Sequence, residues 1–305
     1  MDVSANCCLP DAELHAVAAA VLLGDPTGSR TAQVLRETFD QLYNGQHTGR
    51  WRLEQLYKTE KTHFGTLVEI NMQRAFQFTD GQTLDFQITG VEVDCKFSHT
   101  GGWMLPQECF EHLVLVLQAD DATARWSMGL VRVTAAHRRA GANRDQKTSL
   151  NRQGRAHIHW LFRDAQFPAN ALLQLPSATV DAIMALPSGQ ARVNALLRAA
   201  VNLPLTGAVI ATVAQQKDYM KRLRDNGGAR ESLRPEGYLI LGGDREEQRQ
   251  LAAALQLPPP PHGGVISTRV VPAPDGVPIG AQRWRLAAPG EPAPVPAPEL
   301  PQRRR

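Results

Sequence analysis

VEVDCKFS, residues 91–98, sets Val91, Val93, Cys95 and Phe97 against Glu92, Asp94, Lys96 and Ser98. A strict period of two marks a β-strand with one buried face. Asp94 and Lys96 stand two residues apart, so both side chains leave the same face. The preceding TLDFQI, Thr83 to Ile88, also reads as a strand, and Thr89-Gly90 reads as the two-residue turn of a hairpin. In that register Ile88 faces Val91 and Asp85 faces Asp94. Two carboxylates opposite one another, about 5 Å apart at Cβ, repel. A divalent cation between them reverses the sign, and Mg2+ prefers carboxylate, water and phosphate oxygens. Upstream, Leu67-Val68-Glu69-Ile70 adds a third acid within an apolar run. A lone Asp-x-Lys on a strand is most often a solvated surface pair. The facing Asp85, together with Glu69, makes this one a candidate site of three acids and a lysine.

The rest of the chain bounds the setting. It has 305 residues, enough for two domains, and a hydrophobic fraction of 43%, ordinary for a globular protein. No apolar run reaches the roughly 20 residues needed to span a bilayer. The start, MDVSANCCLPDAELHAVAAAVLLGD, is acidic before its apolar part and reads as an amphipathic helix rather than a signal peptide, so a cytoplasmic location is expected. The net charge of +3 decides little; the local clustering of basic residues says more. Cys7, Cys8, Cys95 and Cys109 show no metal-binding spacing and are expected as free thiols, with Cys95 a small core residue.

Along the chain, Asp11–Leu23 and Thr31–Leu42 read as helices, broken at Asn44-Gly45. Thr48–Gly65 carries Arg50, Arg52, Lys58, Lys61 and His63 just before Glu69, a charge pattern that suits a solvated helix face or a polyanionic substrate. Glu111–Gln118 and Trp126–Thr134 are strands apolar enough for the middle of a sheet covered on both sides. The loop His137–Lys147 (HRRAGANRDQK) is basic; Asn143 and Arg144 are candidate DNA contacts, with a plain surface loop as the alternative. The first domain is placed at residues 1–165.

In the second domain, residues 166–288, Gln190–Val201 is a helix, Gly207–Ala214 a short helix or strand, and Lys217–Arg224 a basic, helix-prone segment. Tyr238–Leu241 is strand-like, Glu246–Leu255 a helix and Val265–Val271 a strand. Helix, short element, basic helix, then strands is the order of a winged helix-turn-helix, whose second helix enters the major groove. Lys217, Lys221, Arg222, Arg224 and Arg230 are the candidate contacts, with an ordinary amphipathic helix as the alternative. From Pro289 onward, residues 289–305, the tail is Pro/Ala-rich, ends in three arginines and is expected to be disordered.

Glu69, Asp85 and the Asp94/Lys96 pair resemble the metal site of the PD…(D/E)xK nuclease superfamily. LYNGQHTGRW, KTEKTHFGTLVEIN, GVEVDCKFS, WMLP, GQARVN, AVIATVAQQ and LRPEG extend the resemblance, from about Arg30 to Val271, to the NaeI family of type IIE restriction endonucleases. The resemblance implies an α/β (α+β) fold: a restriction-endonuclease-like mixed sheet flanked by helices, plus a C-terminal catabolite-activator-like winged helix-turn-helix. It implies a homodimeric type II enzyme that cuts double-stranded DNA with Mg2+ at a palindromic GC-rich site such as GCCGGC, and is activated by a second copy of the site. Glu69, Asp85, Asp94 and Lys96 would be catalytic. Glu69, Asp85, Asp94 and the Cys95 carbonyl would face the metal, and Lys61 and His63 would join the DNA contacts. A cognate methyltransferase is expected. The chain departs from the family pattern in its N-terminal arm, around Ala135–Gly141, over Asp164–Ser188 and in the tail. The competing readings are a winged-helix regulator without catalysis and a structure-selective repair nuclease.

Overall fold

The computed structural model describes residues 11–141 and 143–300. Cys7, Cys8 and the terminal arginines 303–305 lie outside the described residues. Two compact units emerge: residues 11–42 with 57–169, and residues 43–56 with 170–300. The second unit thus takes in the short segment around Asn44-Gly45, which sequence reading placed in the first domain.

The first unit opens with α1 (Ala12–Gly24), capped by the Asp11 carboxylate accepting from the Leu14 N–H at 3.0 Å. α2 (Ser29–Tyr43) follows. The chain then turns at Asn44, whose φ of 46° lies in the left-handed region, and enters α3 (Gly45–Thr48) of the second unit. Back in the first unit, α4 (Lys58–Phe76) spans 19 residues and carries Phe64, Val68 and Met72 on its buried side. β1 (Thr79–Asp80), β2 (Phe86–Ile88), β3 (Val91–Ser98), β4 (Leu113–Asp120), β5 (Arg125–Arg132) and β6 (His159–Gln166) form one sheet in that order. The sheet is mixed: β3 and β4 run parallel and every other pair is antiparallel. A parallel pair needs a crossover, and Trp103–Cys109 within it covers part of the sheet. β4 is buried throughout Leu113–Leu117, as its unbroken apolar run requires. α5 (Arg152–Ala156) precedes β6.

The hairpin forms as read. Ile88 pairs with Val91 across Thr89 and Gly90, whose φ values of 52° and 82° suit a tight turn matched to strand twist. The strand before it is shorter than expected: β2 begins at Phe86, and Thr83–Asp85 form a turn. The one-faced burial of β3 also needs correction. Val93 and Cys95 are buried, but so is Asp94 on the polar face, at 3% exposure. The turn ending at Cys109 covers that face.

The second unit starts from α6 (Ala171–Gln174), α7 (Ser177–Met184) and α8 (Gly189–Ala199). β7 (Pro204–Leu205) leads into α9 (Gly207–Ala214). α9 settles the helix-or-strand ambiguity: Thr206 caps it, and every residue from Val209 to Ala214 is buried. α3 packs closely on it; a Cβ on Gly45 would lie 2.1 Å from Thr212 Oγ1. The basic segment is not an α-helix. Tyr219–Leu223 is a short 3-10 helix, with Leu223 buried. After it come α10 (Ala229–Leu233), β8 (Tyr238–Gly242), α11 (Glu246–Ala254), β9 (Val265–Ile279) and β10 (Gln282–Leu286). β9 is the hub of a four-stranded sheet and pairs antiparallel with β7, β8 and β10.

The tail differs from expectation over its described part. Ala297 is buried beside Leu239, Leu255 and Trp284; its N–H donates to the Arg234 carbonyl at 2.9 Å. Glu299 pairs with Arg234 at 3.2 Å. A Pro/Ala segment cannot build a core of its own, but a proline-stiffened chain loses little entropy when laid on an existing one. Among the described residues no helix is long and apolar enough to cross a membrane.

Candidate active site

The site is built where β2, β3 and α4 meet. The 82–84 turn delivers Asp85 to the edge of β3, and the Asp85 Oδ2 accepts the Cys95 N–H at 2.7 Å. Asp94 and Lys96 leave the same face of β3, as their spacing demands. The Lys96 ammonium donates to Asp94 Oδ1 at 2.8 Å and lies 2.7 Å from Oδ2. It also donates to the Cys95 carbonyl at 3.1 Å and sits 3.6 Å from Asp85 Oδ2. On the other side of Asp94, the Cys109 thiol donates to Oδ2 at 3.0 Å.

Electrostatics follow from this crowding. Burial pushes the Asp94 carboxyl up to about 6, with the Lys96 ammonium offsetting part of the rise. Burial works to lower the Lys96 value, but the Asp94 charge and hydrogen bond, with Asp85 behind them, hold the ammonium above its ordinary range. Two carboxylates thus outweigh the burial. Glu69, on α4, is raised by its own burial and next by the like charge of Asp85, so it shares the electrostatic neighbourhood. The thiols of Cys95 and Cys109 are both pushed up by burial and stay protonated.

Among the described residues no three acidic, histidine or cysteine side chains are gathered tightly enough to ligate a metal by themselves. The donor chemistry nonetheless suits a hard cation. Carboxylate oxygens of Asp85 and Asp94 and the Cys95 carbonyl converge on one point, and a cation, the Lys96 ammonium, already sits there. Sequence reading missed one member of this surrounding. Cys109 is fifteen residues from Asp94, and only the β3–β4 crossover brings it back. Glu92 shares the strand face of Asp94 and Lys96 and is a second contributor. Its carboxylate accepts the N–H groups of Gln82, Thr83 and Leu84 at 2.8, 3.0 and 2.9 Å. Those bonds, Gln82 first, hold it below its ordinary value. Its period-two placement beside Asp94 and Lys96 was the available signal.

The candidate DNA contacts are scattered by the fold. Lys61 and His63 are exposed on α4, upstream of Glu69. Arg50 and Arg52, adjacent to them in sequence, belong to the second unit. Asn143 folds back on its own loop, accepting from Asp145 and Lys147 at 3.0 and 2.9 Å, while Arg144 is exposed. In the second unit, Lys217, Lys221 and Arg224 are exposed, with Arg224 3.9 Å from Asp218. Arg222 is half-buried and donates to Gln216 Oε1 at 2.9 and 2.7 Å. Arg230 points inward and donates to the carbonyl of Ile240 at 3.1 Å; its guanidinium serves the packing of α10 on β8.

The match to known proteins covers nearly the whole chain. The family model described as restriction endonuclease NaeI matches residues 15–295. The type II restriction enzyme NaeI of Lentzea aerocolonigenes is 48% identical over 307 aligned residues, covering 96% of each chain. With an acid–lysine cluster on a mixed sheet and this continuous similarity, the chain belongs to the NaeI family of restriction endonucleases and is a type II site-specific deoxyribonuclease.

Proposed function

We propose that this enzyme is a Mg2+-dependent, type IIE endonuclease. It cuts a palindromic GC-rich site, GCCGGC by family resemblance, after binding a second copy of that site. The single observation behind the chemistry is the convergence of Asp85, Asp94 and the Cys95 carbonyl on the Lys96 ammonium. Asp85, Asp94 and the Cys95 carbonyl would hold the ion, with Glu69 beside them. Bound there, Mg2+ would polarise the scissile phosphate and acidify a coordinated water. Lys96, held protonated by its carboxylate neighbours, serves as donor: it orients the attacking water and stabilises charge growing on the phosphate. Asp94, largely closed off from solvent, keeps that ammonium in place. Lys61 on α4 and Arg144 in the basic loop supply positive charge for the phosphate backbone, and His63 a ring nitrogen for hydrogen bonding.

The winged helix-turn-helix assignment of the second unit is supported by the order α8, β7, α9, 3-10 turn, α10, β8, β9, with β9 pairing both β7 and β8. Lys217, Lys221 and Arg224 are the exposed cations that suit an effector duplex. Arg222 would have to leave Gln216 to join them, and Arg230 acts from within. A two-fold DNA site calls for a homodimer, and a cutting enzyme calls for a methyltransferase that protects the host's own sites.

Digestion of plasmids with one or several GCCGGC sites tests the proposal. Discrete Mg2+-dependent fragments are expected, with single-site plasmid cut faster when a short GCCGGC duplex is added. A smear, or no cutting with any divalent ion, overturns the chemistry. Discrete cutting unaffected by the duplex overturns the effector role, and stimulation that survives replacement of Lys221 and Arg222 overturns the basic-segment assignment.

A further inference from the structure

The turn from Gly81 to Asp85 leaves the N–H groups of Gln82, Thr83 and Leu84 without partners in the β1–β2 ribbon. One carboxylate accepts all three: Glu92 Oε1 takes Gln82, and Oε2 takes Thr83 and Leu84, at 2.8–3.0 Å. Three charge-assisted bonds to consecutive amides define the path of the turn, beside one long backbone bond from the Gly81 N–H to the Asp85 carbonyl at 3.4 Å. The turn is also tight; a Cβ on Gly81 would meet the Leu84 carbonyl oxygen at 2.2 Å. The next residue is Asp85. Its carboxylate accepts the Cys95 N–H and lies 3.6 Å from the Lys96 ammonium, and the backbone that carries it follows directly from the amides that Glu92 holds. Glu92 belongs to β3, the strand that carries Asp94, Cys95 and Lys96. A single strand therefore presents two site side chains directly and positions the third, Asp85, through the turn.

The geometry points to Glu92 as a positioning residue: it holds the 82–84 turn so that Asp85 stands ready for a divalent cation and reaches neither the cation nor the DNA itself. This rests on the metal-dependent nuclease reading of Asp85, Asp94 and Lys96. Partners that orient a metal-binding carboxylate commonly carry tenfold to hundredfold in metal affinity. Glu92→Ala removes all three bonds. Glu92→Gln keeps an oxygen for two of the amides but turns an NH2 towards the third.

The test uses the full-length protein and Mg2+ or Mn2+ themselves. In Glu92→Ala the Mg2+ concentration for half-maximal single-turnover cleavage should rise by about ten- to a hundredfold, with the rate at saturating Mg2+ recovering to within about threefold of wild type. Glu92→Gln should fall between the two. Calorimetric Mn2+ binding to the protein–DNA complex should weaken in the same order. Amide exchange at residues 82–84 should quicken in Glu92→Ala while that of β4 is unchanged. An unchanged half-saturating concentration overturns the role, as does a uniform loss of active protein at every Mg2+ concentration. Wild-type protein that neither binds Mn2+ nor cuts DNA overturns the nuclease reading and this role with it; wild-type cutting with insensitive Glu92 variants overturns this role alone.

Discussion

Lys96→Met removes the ammonium that touches both oxygens of Asp94 while keeping most of the aliphatic bulk. At about 3 Å and an effective dielectric near 20, a unit charge facing that ammonium gains about 5 kcal/mol. Lys96 retains 23% of its side-chain exposure, so water screens part of this. Loss of a single donor to a developing oxyanion typically costs about 2.7–4 kcal/mol, or 10²–10³ in rate. The single-turnover rate on an end-labelled duplex, with enzyme in excess and Mg2+ saturating, should therefore fall at least a hundredfold. Binding of the same duplex without metal should persist, because one phosphate contact among many carries little of the total. Lys96→Arg keeps the charge but brings a planar fork in place of a compact ammonium, and should recover little. A Lys96→Met rate within tenfold of wild type would refute the donor role.

Cys109→Ala removes the thiol that donates to Asp94 Oδ2 and should slow single-turnover cleavage by about five- to tenfold, the worth of about 1 kcal/mol, whereas Cys109→Ser keeps a donor and should stay within about threefold; equal rates for Ala and Ser would refute it. Gly45→Ala drives a Cβ to 2.1 Å from Thr212 Oγ1 and 2.7 Å from the Arg50 carbonyl, so urea unfolding should show a loss of about 1–3 kcal/mol. Asp11 is held below its ordinary value chiefly by the hydrogen bond from Arg132, at 2.6 Å, opposed by burial. A depressed carboxylate stabilises the fold above its unfolded pKa and loses that contribution as pH falls through the folded one. Asp11→Asn should therefore be less stable than wild type at pH 7, and the gap should close below pH 3.8 in thermal melts.

The candidate site was more legible than its surroundings for a physical reason. Period-two alternation and a two-residue turn are local, and together they set the register that puts Asp85 beside Asp94. The burial of Asp94 was not legible, since it depends on the β3–β4 crossover returning Cys109 over the polar face of the strand. The protonated state of Lys96 hinges on the same closure, because burial and two carboxylates pull it in opposite directions and only distances decide the winner. The basic segment after α9 misled for a similar reason. Its charge suggested a helix, but the burial of Leu223 and the inward turn of Arg230 leave a 3-10 turn and fewer exposed cations.

By itself the sequence determined the hairpin register, the three groups Asp85, Asp94 and Lys96 at its edge and the mixed α/β character, because each rests on residue type and short spacing. Tertiary structure decided which charges are covered, which arginines face solvent, that the Pro/Ala tail lies on the second unit, and that Glu92 braces the turn before Asp85. Those depend on which distant segments cover a given face, and burial of a charge is decided by that cover rather than by the residue's neighbours along the chain.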